Sequence, residues 1–243
     1  MKILCVIPSR IGSTRLPRKP LLPIQGKPMI QWTYENASRC SLLSQVIVAT
    51  DSLEIADCIH NIGGHAMMTD PHLPTGSERV ASVAKEFRDM DIVINLQGDE
   101  PFIKPSMLET LVSPYLNGET PVMTTLGFPL DMNLKYHDKG AVKVILDQTG
   151  HAIYFSRSPI PCFRVPNESA PTYHHIGVYA FRYDFLMQYP TLSSTPLERS
   201  ECLEQLRVIE HGHRIRVTLT NEKTLEINTK EEYDEAQSFQ YVI

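Results

Sequence analysis

Short apolar runs alternate with amphipathic stretches over the first seventy residues. Strands are predicted for three short runs, at 2–7, 45–50 and 65–69, of which the first is rich in β-branched residues and the first two are predicted to be buried. Helices are predicted between them, at 28–39 and 52–62, where apolar residues recur at helical spacing. This order predicts an α/β fold, with a mostly parallel, right-handed, three-layer sheet that binds ligands at the carboxyl ends of its strands.

Two residues of this region have predicted roles at element ends. Pro8 follows the first apolar run and lacks a backbone N–H, so it is expected to stop the strand there. Asp51 directly precedes the second helix and is suited to cap it.

The pattern changes beyond Gly118. Before it, helices are predicted at 76–87 and 105–115, with a strand at 91–96 between them. After it come four strands with little helix, predicted at 122–130, 141–147, 152–156 and 173–182. This texture predicts a single domain over 1–243 with an inserted, smaller mixed-sheet lobe at about 119–182. Such a lobe commonly supplies an acceptor site or a dimer surface. A helix at 198–212, a strand at 215–219 and a last helix from 230 return to the first part.

Composition excludes several classes of protein. A chain of 243 residues with 42% hydrophobic and 21% charged residues is an ordinary globular protein. The net charge of −5 argues against general binding to nucleic acid or anionic membranes. Five scattered cysteines without C-x-x-C spacing predict reduced thiols, and the apolar runs are too short for a membrane span. We therefore expect a soluble, cytoplasmic protein.

A basic loop follows the first strand. It carries a Gly12-Ser13-Thr14 turn and, within ten residues, the candidate phosphate ligands Arg10, Arg15 and Lys19. Arginine offers a planar fork for phosphate oxygens and lysine a point charge, while glycine lets main-chain N–H groups approach a ligand. A solvated basic loop is the alternative. Two prolines beside the cations, Pro17 and Pro20, favour a shaped phosphate-binding loop.

A carboxylate stands where another buried strand meets a turn, in Gln97-Gly-Asp-Glu-Pro101. At that edge of a sheet, Asp99 is placed to bind Mg²⁺, a hard ion that takes oxygen ligands and shares them with substrate phosphates. The alternative is that Asp99 only caps a turn.

The segment from Ile7 to Leu21 resembles the N-terminal signature of the 3-deoxy-manno-octulosonate (Kdo) cytidylyltransferases. Gly98-Asp-Glu-Pro101 resembles the metal-binding segment of the same family, which implies that Asp99 is a metal ligand. Thr75-Gly-Ser-Glu-Arg79 resembles a segment that contacts the cytidine nucleotide, although Thr75 and Glu78 also have the spacing of a helix capping box. The resemblance implies a Rossmann-like nucleotidyltransferase fold.

The resemblance also assigns residues to the nucleotide. It implies catalytic roles for Arg10, Arg15, Lys19 and Asp99. It implies nucleotide contacts by Arg10, Gly12, Ser13, Thr14, Lys19, Gly76, Ser77, Arg79 and Gln97.

Three later segments, at 154–161, 174–179 and 197–207, look like sugar-binding motifs of the same family. They imply an acceptor site made of Arg157, His175, Tyr179, Glu204 and Gln205. In an extended strand 175, 177 and 179 face one side, so His175 and Tyr179 are expected to point together. Taken alone, paired histidines and a Glu-Gln-Leu-Arg helix are more often packing features than a site.

The sequence departs from the family at two places. Arg18 stands where the family usually has glycine. Near the end, Ile227-Asn-Thr-Lys-Glu-Glu232 replaces a Val-Asp-Thr-Pro-Glu-Asp segment whose first aspartate is the second metal ligand. Asn228 takes the place of that carboxylate and is neutral, so one formal negative charge is missing from the expected metal site of Asp99 and Asn228.

The function implied by the resemblance is transfer of CMP from CTP to the anomeric hydroxyl of a 3-deoxy-2-ulosonic acid, with release of pyrophosphate. Kdo is the expected acceptor, Mg²⁺ the expected cofactor, lipopolysaccharide sugar activation the expected context and a homodimer the expected assembly. The departures leave open another acceptor, such as 8-amino-Kdo, another nonulosonic acid or a phosphonate. A nucleotide-binding protein without catalysis is the alternative from another class.

Overall fold

The structure is a computed structural model that describes residues 1–12, 16–133, 135–165 and 170–241. The chain divides into two compact units. Unit 1 comprises Met1–Glu109 and Lys223–Ile243, and unit 2 comprises Thr110–Glu222.

The chain begins with alternating strands and helices. Their bounds are β1 Ile3–Ser9, β2 Pro23–Ile24, β3 Lys27–Pro28, α1 Met29–Ser38, β4 Gln45–Thr50, α2 Leu53–His60, β5 Ala66–Met68, α3 Gly76–Ala84, β6 Ile92–Leu96 and α4 Pro105–Leu116. The strands β6, β1, β4 and β5 lie side by side in that order, and all three pairings are parallel. The predicted α/β fold with a parallel sheet is confirmed in unit 1.

The apolar runs form the core of unit 1 because they are buried strands. Every residue of β6 is buried, as are all residues of β1 except Pro8. Helices α1, α2 and α3 pack on this sheet. In a smaller cluster, Phe239 and Tyr241 of the C-terminal segment pack against Phe102, which also contacts Trp32.

Two predicted element ends are wrong. Pro8 does not stop β1, which continues to Ser9 and pairs Pro8 with Ala49 of β4. The ladder to β6 has already ended at Val6, so the missing N–H breaks no bond on that side. Asp51 does not cap α2, whose N-cap is Ser52 and has no side-chain cap. The carboxylate of Asp51 instead accepts a hydrogen bond from the backbone N–H of Ile11, at 3.2 Å.

Unit 2 has a mixed sheet and short helices. Their bounds are β7 Met123–Pro129, β8 Lys143–Leu146, β9 Ala152–Ser156, β10 Tyr173–Arg182, α5 Tyr183–Gln188, α6 Pro196–Glu201, α7 Gln205–Glu210 and β11 Ile215–Leu219. β7 pairs antiparallel with β10 and parallel with β11, and β8 pairs antiparallel with β10 and β9. The predicted strands are confirmed, whereas α5 was not expected.

The prediction of one helix at 198–212 is wrong, because the segment forms two short helices, α6 and α7. Cys202 adopts φ 53°, in the left-handed region, and separates α6 from α7. The sequence does not predict this break, because residue 202 is neither glycine nor asparagine, the residues that favour a left-handed conformation.

The chain returns to unit 1 with α8, Lys230–Ala236. Thr229 is its N-cap, and Thr229 and Glu232 form a capping box. All five cysteines are free. Among the helices that the structure describes, none is both long and apolar enough to span a membrane.

Candidate active site

A cavity of about 280 Å³ lies in unit 1 where β1 and β6 end. Its lining includes Arg10, which follows β1, Lys19, and Gln97, Gly98 and Asp99, which follow β6. The carboxyl ends of neighbouring parallel strands meet at one edge of a sheet, and this brings the basic loop to the acidic turn. The cavity therefore combines cations suited to phosphate with a carboxylate suited to a metal ion.

Among the residues that the structure describes, three oxygen atoms accept hydrogen bonds from Lys19. Its ammonium Nζ donates to Asp99 Oδ2 at 2.6 Å, to the carbonyl of Ile227 at 2.9 Å and to Asn228 Oδ1 at 3.2 Å. The side chains of Lys19 and Asp99 are only 15% and 20% exposed. Residues about eighty and two hundred positions apart in sequence thus meet at one point of unit 1.

These oxygens have the chemistry that a divalent cation requires. Carboxylate, amide and backbone oxygens are the ligands that Mg²⁺ takes in proteins, together with water and substrate phosphates. In the described part of the chain, no group of three or more His, Cys, Asp and Glu side chains is arranged to hold a metal by itself. The residues present fit an ion that also binds phosphate oxygens.

Two further carboxylates lie near this point. Glu100 is 2% exposed and accepts a hydrogen bond from Thr224 at 2.8 Å. Desolvation, followed by the nearby charges of Glu226 and Asp99, raises the pKa of Glu100 well above its usual range. Glu226 is an exposed residue, but desolvation of its carboxyl, followed by the charge of Asp99, raises its pKa to about 7. Crowding with Asp99 thus favours the neutral forms of these carboxyls, and a cation bound at this point would favour their ionised forms.

A buried arginine supports the start of the basic loop. Arg79 is fully buried, with one Nη 3.7 Å from Asp51 Oδ2. Asp51 in turn accepts from the N–H of Ile11, next to Arg10, which itself donates to the carbonyl of Leu73 at 2.5 Å. Within the described residues, Arg79 Nε and Nη2 have no hydrogen-bond partner. Arg79 is therefore connected to the loop through Asp51. A contact of Arg79 with a nucleotide stays a prediction.

Polar side chains connect α3 with the end of β6. Buried Asn95 donates to Ser77 Oγ at 3.1 Å and accepts from Gln97 Nε2 at 3.1 Å. Gly76 begins α3, and a side chain there would lie 3.6 Å from Gln97. Thr75 caps α3 by accepting from the N–H of Glu78, so the Thr75 part of the predicted capping box is confirmed. Ser77 is buried, and its nucleotide contact stays a prediction.

Part of the predicted loop lies outside the described residues: Ser13, Thr14 and Arg15. Gly12 lines the cavity and is exposed. Arg18 adopts φ 57°, a conformation that favours glycine, and its guanidinium pairs with the exposed carboxylate of Glu54. The extra cation is therefore directed to Glu54.

In unit 2, His175 is buried beside Thr125. Thr125 Oγ1 donates to the carbonyl of Val178 at 2.8 Å, so it accepts from His175 Nε2 at 2.9 Å. Burial, with the charge of His174, lowers the pKa of His175 to about 3. His175 is therefore neutral at physiological pH, with its proton on Nε2, and cannot act as a cation for an acidic acceptor.

Tyr179 and Gln205 form a buried polar pair. The phenol of Tyr179 donates to Gln205 Oε1 at 3.0 Å, and the His175 and Tyr179 rings lie 5.6 Å apart. These rings meet although β10 has a register shift between Ile176 and Tyr179. Gln205 is 1% exposed, and its Nε2 has no hydrogen-bond partner among the described residues. A buried donor without a partner is costly, which is typical of a ligand-binding group.

Arg157 follows β9, and hydrogen bonds fix both its backbone and its side chain. Its N–H donates to Glu201 Oε2 at 2.9 Å, and its Nε donates to the Glu201 carbonyl at 2.9 Å. The Nζ of buried Lys143 donates to the carbonyl of Arg157 at 2.6 Å, and Arg157 Nη1 donates to that of Lys139 at 3.2 Å. The guanidinium thus has a fixed direction before any ligand binds.

Helix α7 carries the remaining predicted acceptor residues. Glu204 precedes the helix, is half-buried, and its carbonyl accepts from the phenol of Tyr189 at 3.3 Å. Arg207 is buried and bonds Glu198 of α6 through Nε and Nη2. This ion pair, closed to solvent, keeps the two helices together on either side of Cys202.

Sequence reasoning missed several residues that support these groups: Asp51, Asn95, Lys143, Glu201 and Glu226. A polar residue within a buried strand was the available signal for Asn95 and Lys143. Asp51, Glu201 and Glu226 lie in loops or helix ends, where charged residues are common and carry no signal.

The comparisons with known proteins agree with this chemistry. A family model described as cytidylyltransferase matches residues 4–215. A 3-deoxy-manno-octulosonate cytidylyltransferase of Acaryochloris marina is 55% identical over 240 residues, covering 98% of this chain and 97% of that protein. The chain belongs to the 3-deoxy-manno-octulosonate cytidylyltransferase family.

Further relatives of this family cover the same length. One from Synechococcus elongatus, with the same description, is 47% identical over 239 residues and covers 98% of each chain. A solved structure of CMP:2-keto-3-deoxy-manno-octonic acid synthetase, complexed with CTP, matches with a TM-score of 0.92 and 37% identity over 98% of both chains. Membership makes the protein a nucleotidyltransferase, an enzyme that uses a nucleoside triphosphate.

Proposed function

We propose that the protein transfers CMP from CTP to the anomeric hydroxyl of Kdo and releases pyrophosphate, which activates the sugar for lipopolysaccharide synthesis. The hydroxyl oxygen forms a bond to the α-phosphorus, the bond from that phosphorus to the bridging oxygen breaks, and the hydroxyl proton passes to solvent. This chemistry asks the protein mainly for alignment and neutralisation of charge. The observation that carries the proposal is the cavity of unit 1, where Lys19 and Asp99 stand together.

The nucleotide roles belong to unit 1. Arg10 and Lys19 bind the triphosphate, and Gln97 contacts the nucleoside from the end of β6. Ser13, Thr14 and Arg15 of the loop, together with Gly12, complete the phosphate contacts. Asn95 and Arg79 act behind these groups, because they are buried and contact Gln97 and Asp51.

Mg²⁺ is the proposed cofactor. Asp99 and the oxygen of Asn228 would hold it, together with CTP phosphates. When bound, the ion neutralises phosphate charge and favours ionisation of the attacking hydroxyl. Lys19 already contacts both proposed ligands, so it keeps these oxygens turned toward one point.

The acceptor roles belong to unit 2. Arg157 binds the sugar carboxylate, since its guanidinium is fixed by backbone carbonyls. Gln205 Nε2 donates to an acceptor oxygen, which would satisfy its unpaired hydrogen-bonding capacity. Tyr179, neutral His175 and Glu204 contact hydroxyl groups, where neutral donors and acceptors suit a polyhydroxylated sugar.

Pyrophosphate release tests this function. Purified protein is assayed with CTP, Mg²⁺ and Kdo, and each component is omitted in turn. We expect release only when all three are present, and poor release with UTP, because a pocket built to bond one exocyclic group leaves polar atoms unpaired with the other. Release with CTP and no acceptor would overturn the assignment as a sugar cytidylyltransferase.

A different acceptor is the second candidate, which the departures at Asn228 and Arg18 leave open. The same assay with 8-amino-Kdo, other nonulosonic acids and a phosphonate decides it, since the highest kcat/KM identifies the acceptor. CTP binding without release from any acceptor would favour a non-catalytic protein. We also propose a homodimer in the cytoplasm, and light scattering on the purified protein tests the dimer.

A further inference from the structure

The amide of Asn228 has a defined orientation. Its Nδ2 donates to the carboxylate of Glu226, and its Oδ1 accepts from Lys19 Nζ at 3.2 Å. An ammonium only donates, so Lys19 must face the oxygen of the amide, and the NH₂ group then faces Glu226. Asn228 therefore turns its oxygen, and not its NH₂ group, toward Lys19 and Asp99.

The backbone of this segment is fixed independently of the Asn228 side chain. The N–H of Ile227 donates to the carbonyl of Asp99 at 3.0 Å, and the Ile227 side chain is fully buried. Helix α8 begins with the Thr229 capping box, and Glu232 accepts from the N–H groups of Asn228 and Thr229 at 2.6 and 2.9 Å. The start of the helix does not require the Asn228 amide, so that amide serves another contact.

The charge balance around Lys19 points to the role of Glu226. Within the described part of the chain, three oxygens accept from Lys19 Nζ, and of these only Asp99 Oδ2 is anionic, whereas those of Ile227 and Asn228 are neutral. Protein sites for Mg²⁺ commonly use one or two carboxylates. Glu226 contacts Asn228 directly and adds a second carboxylate behind the neutral ligand.

We propose that Glu226 is a positioning residue that turns the Asn228 oxygen toward a divalent cation and supplies the second negative charge of that site. Asn228 thus provides the oxygen ligand, and Glu226 the negative charge, that one directly bound carboxylate would provide. This inference rests on the proposed function, because the cation is the one that would accompany CTP.

Mn²⁺ binding tests the role without relying on turnover. Free Mn²⁺ is followed by electron paramagnetic resonance during titration of the protein with CTP present, and a blank with CTP alone is subtracted. Loss of a group that orients a metal ligand typically weakens metal affinity by about 10- to 100-fold. We therefore expect Glu226→Ala to raise the apparent Kd for Mn²⁺ by at least about tenfold.

A second change separates positioning from a general loss of structure. Adding Asn228→Asp to Glu226→Ala should recover most of the lost affinity, because a carboxylate needs no partner to present an oxygen and restores the charge. The matched control is Glu231→Ala, which removes an exposed carboxylate from the first turn of α8. That control should stay within about twofold of the wild type, because exposed charges interact weakly.

Three outcomes would overturn the inference: wild-type Mn²⁺ affinity in Glu226→Ala, an equal loss in Glu231→Ala, or a loss that Asn228→Asp does not repair. Circular dichroism spectra establish that each variant is folded. These outcomes would leave pyrophosphate release by the wild-type protein untouched, so they are distinguishable from failure of the proposed function. Absence of Mn²⁺ binding by the wild-type protein would contradict both.

Discussion

Protonation of His175 should destabilise the protein in mildly acidic solution. The ring is buried, and its Nε2–H donates to Thr125, whose own proton is used by the Val178 carbonyl. A second ring proton would introduce a buried positive charge beside His174. The replacement His175→Gln keeps a neutral NH donor but removes the group that titrates.

The loss of unfolding free energy follows from the lowered pKa of His175. Burial lowers the pKa of His175 from 6.5 to about 3, so its stabilising contribution is complete above pH 6.5 and is lost as the pH falls from 6.5 toward 3. Each pH unit within this window costs about 1.4 kcal/mol, and a change from about pH 7 to about pH 4.5 costs about 2.5 kcal/mol. Burial lowers the pKa of His174 to about 4, which adds a loss of similar size over the same interval.

The assay is urea unfolding at the two pH values, followed by circular dichroism. We expect the unfolding free energy of His175→Gln to fall by about 2.5 kcal/mol less than that of the wild type over this interval. The control is His60→Gln, which removes an exposed histidine from the last turn of α2 and should behave like the wild type. Equal acid sensitivity of wild type and His175→Gln would refute the lowered pKa of His175 in the folded protein.

Three further substitutions test the site. Lys19→Met should lower kcat by about 10²–10³, because it removes a charged donor to the triphosphate, and wild-type turnover would exclude Lys19 from catalysis. Arg157→Lys should raise the KM for Kdo about tenfold and leave the KM for CTP nearly unchanged, because lysine lacks the planar fork that the Glu201 carbonyl orients. Initial rates are measured against the concentration of each substrate, and a change in the KM for CTP alone would contradict this role. Arg18→Gly should change the unfolding free energy by less than about 1 kcal/mol and leave the KM for CTP unaltered, because relief of a left-handed conformation offsets an exposed ion pair. A raised KM for CTP would instead bring Arg18 to the phosphates.

The sheet of unit 1 was predictable because each strand is a local apolar run. The strand at 45–50 has the predicted bounds, and the sites at the ends of β1 and β6 follow from parallel pairing. The meeting of Lys19 with Asp99 has no local signal, since it joins residues eighty positions apart. Their places after predicted strands put both residues at one edge of the sheet, and the resemblance to a family assigned them to one site.

The errors arise where tertiary contacts outweigh local preference. The segment around Cys202 has the composition of one helix, yet the ion pair of Glu198 with Arg207 and the buried Gln205 favour two short helices. Asn228 is a common helix cap by residue type, but Thr229 takes that role. Its actual partners, Lys19 and Glu226, are visible only in three dimensions.

The buried polar groups of unit 2 give a physical reason for the stiffness of the proposed acceptor residues. Lys143 is fully buried and bonds three carbonyls, including that of Arg157, so the charge is compensated by fixed backbone dipoles. Glu201 fixes the same residue through a carboxylate and a carbonyl. A guanidinium held in place before binding loses less conformational freedom when a sugar carboxylate arrives, and this strengthens binding without any added contact. Desolvation of Lys143 is then offset within the folded protein, and its consequence is an Arg157 that is already oriented.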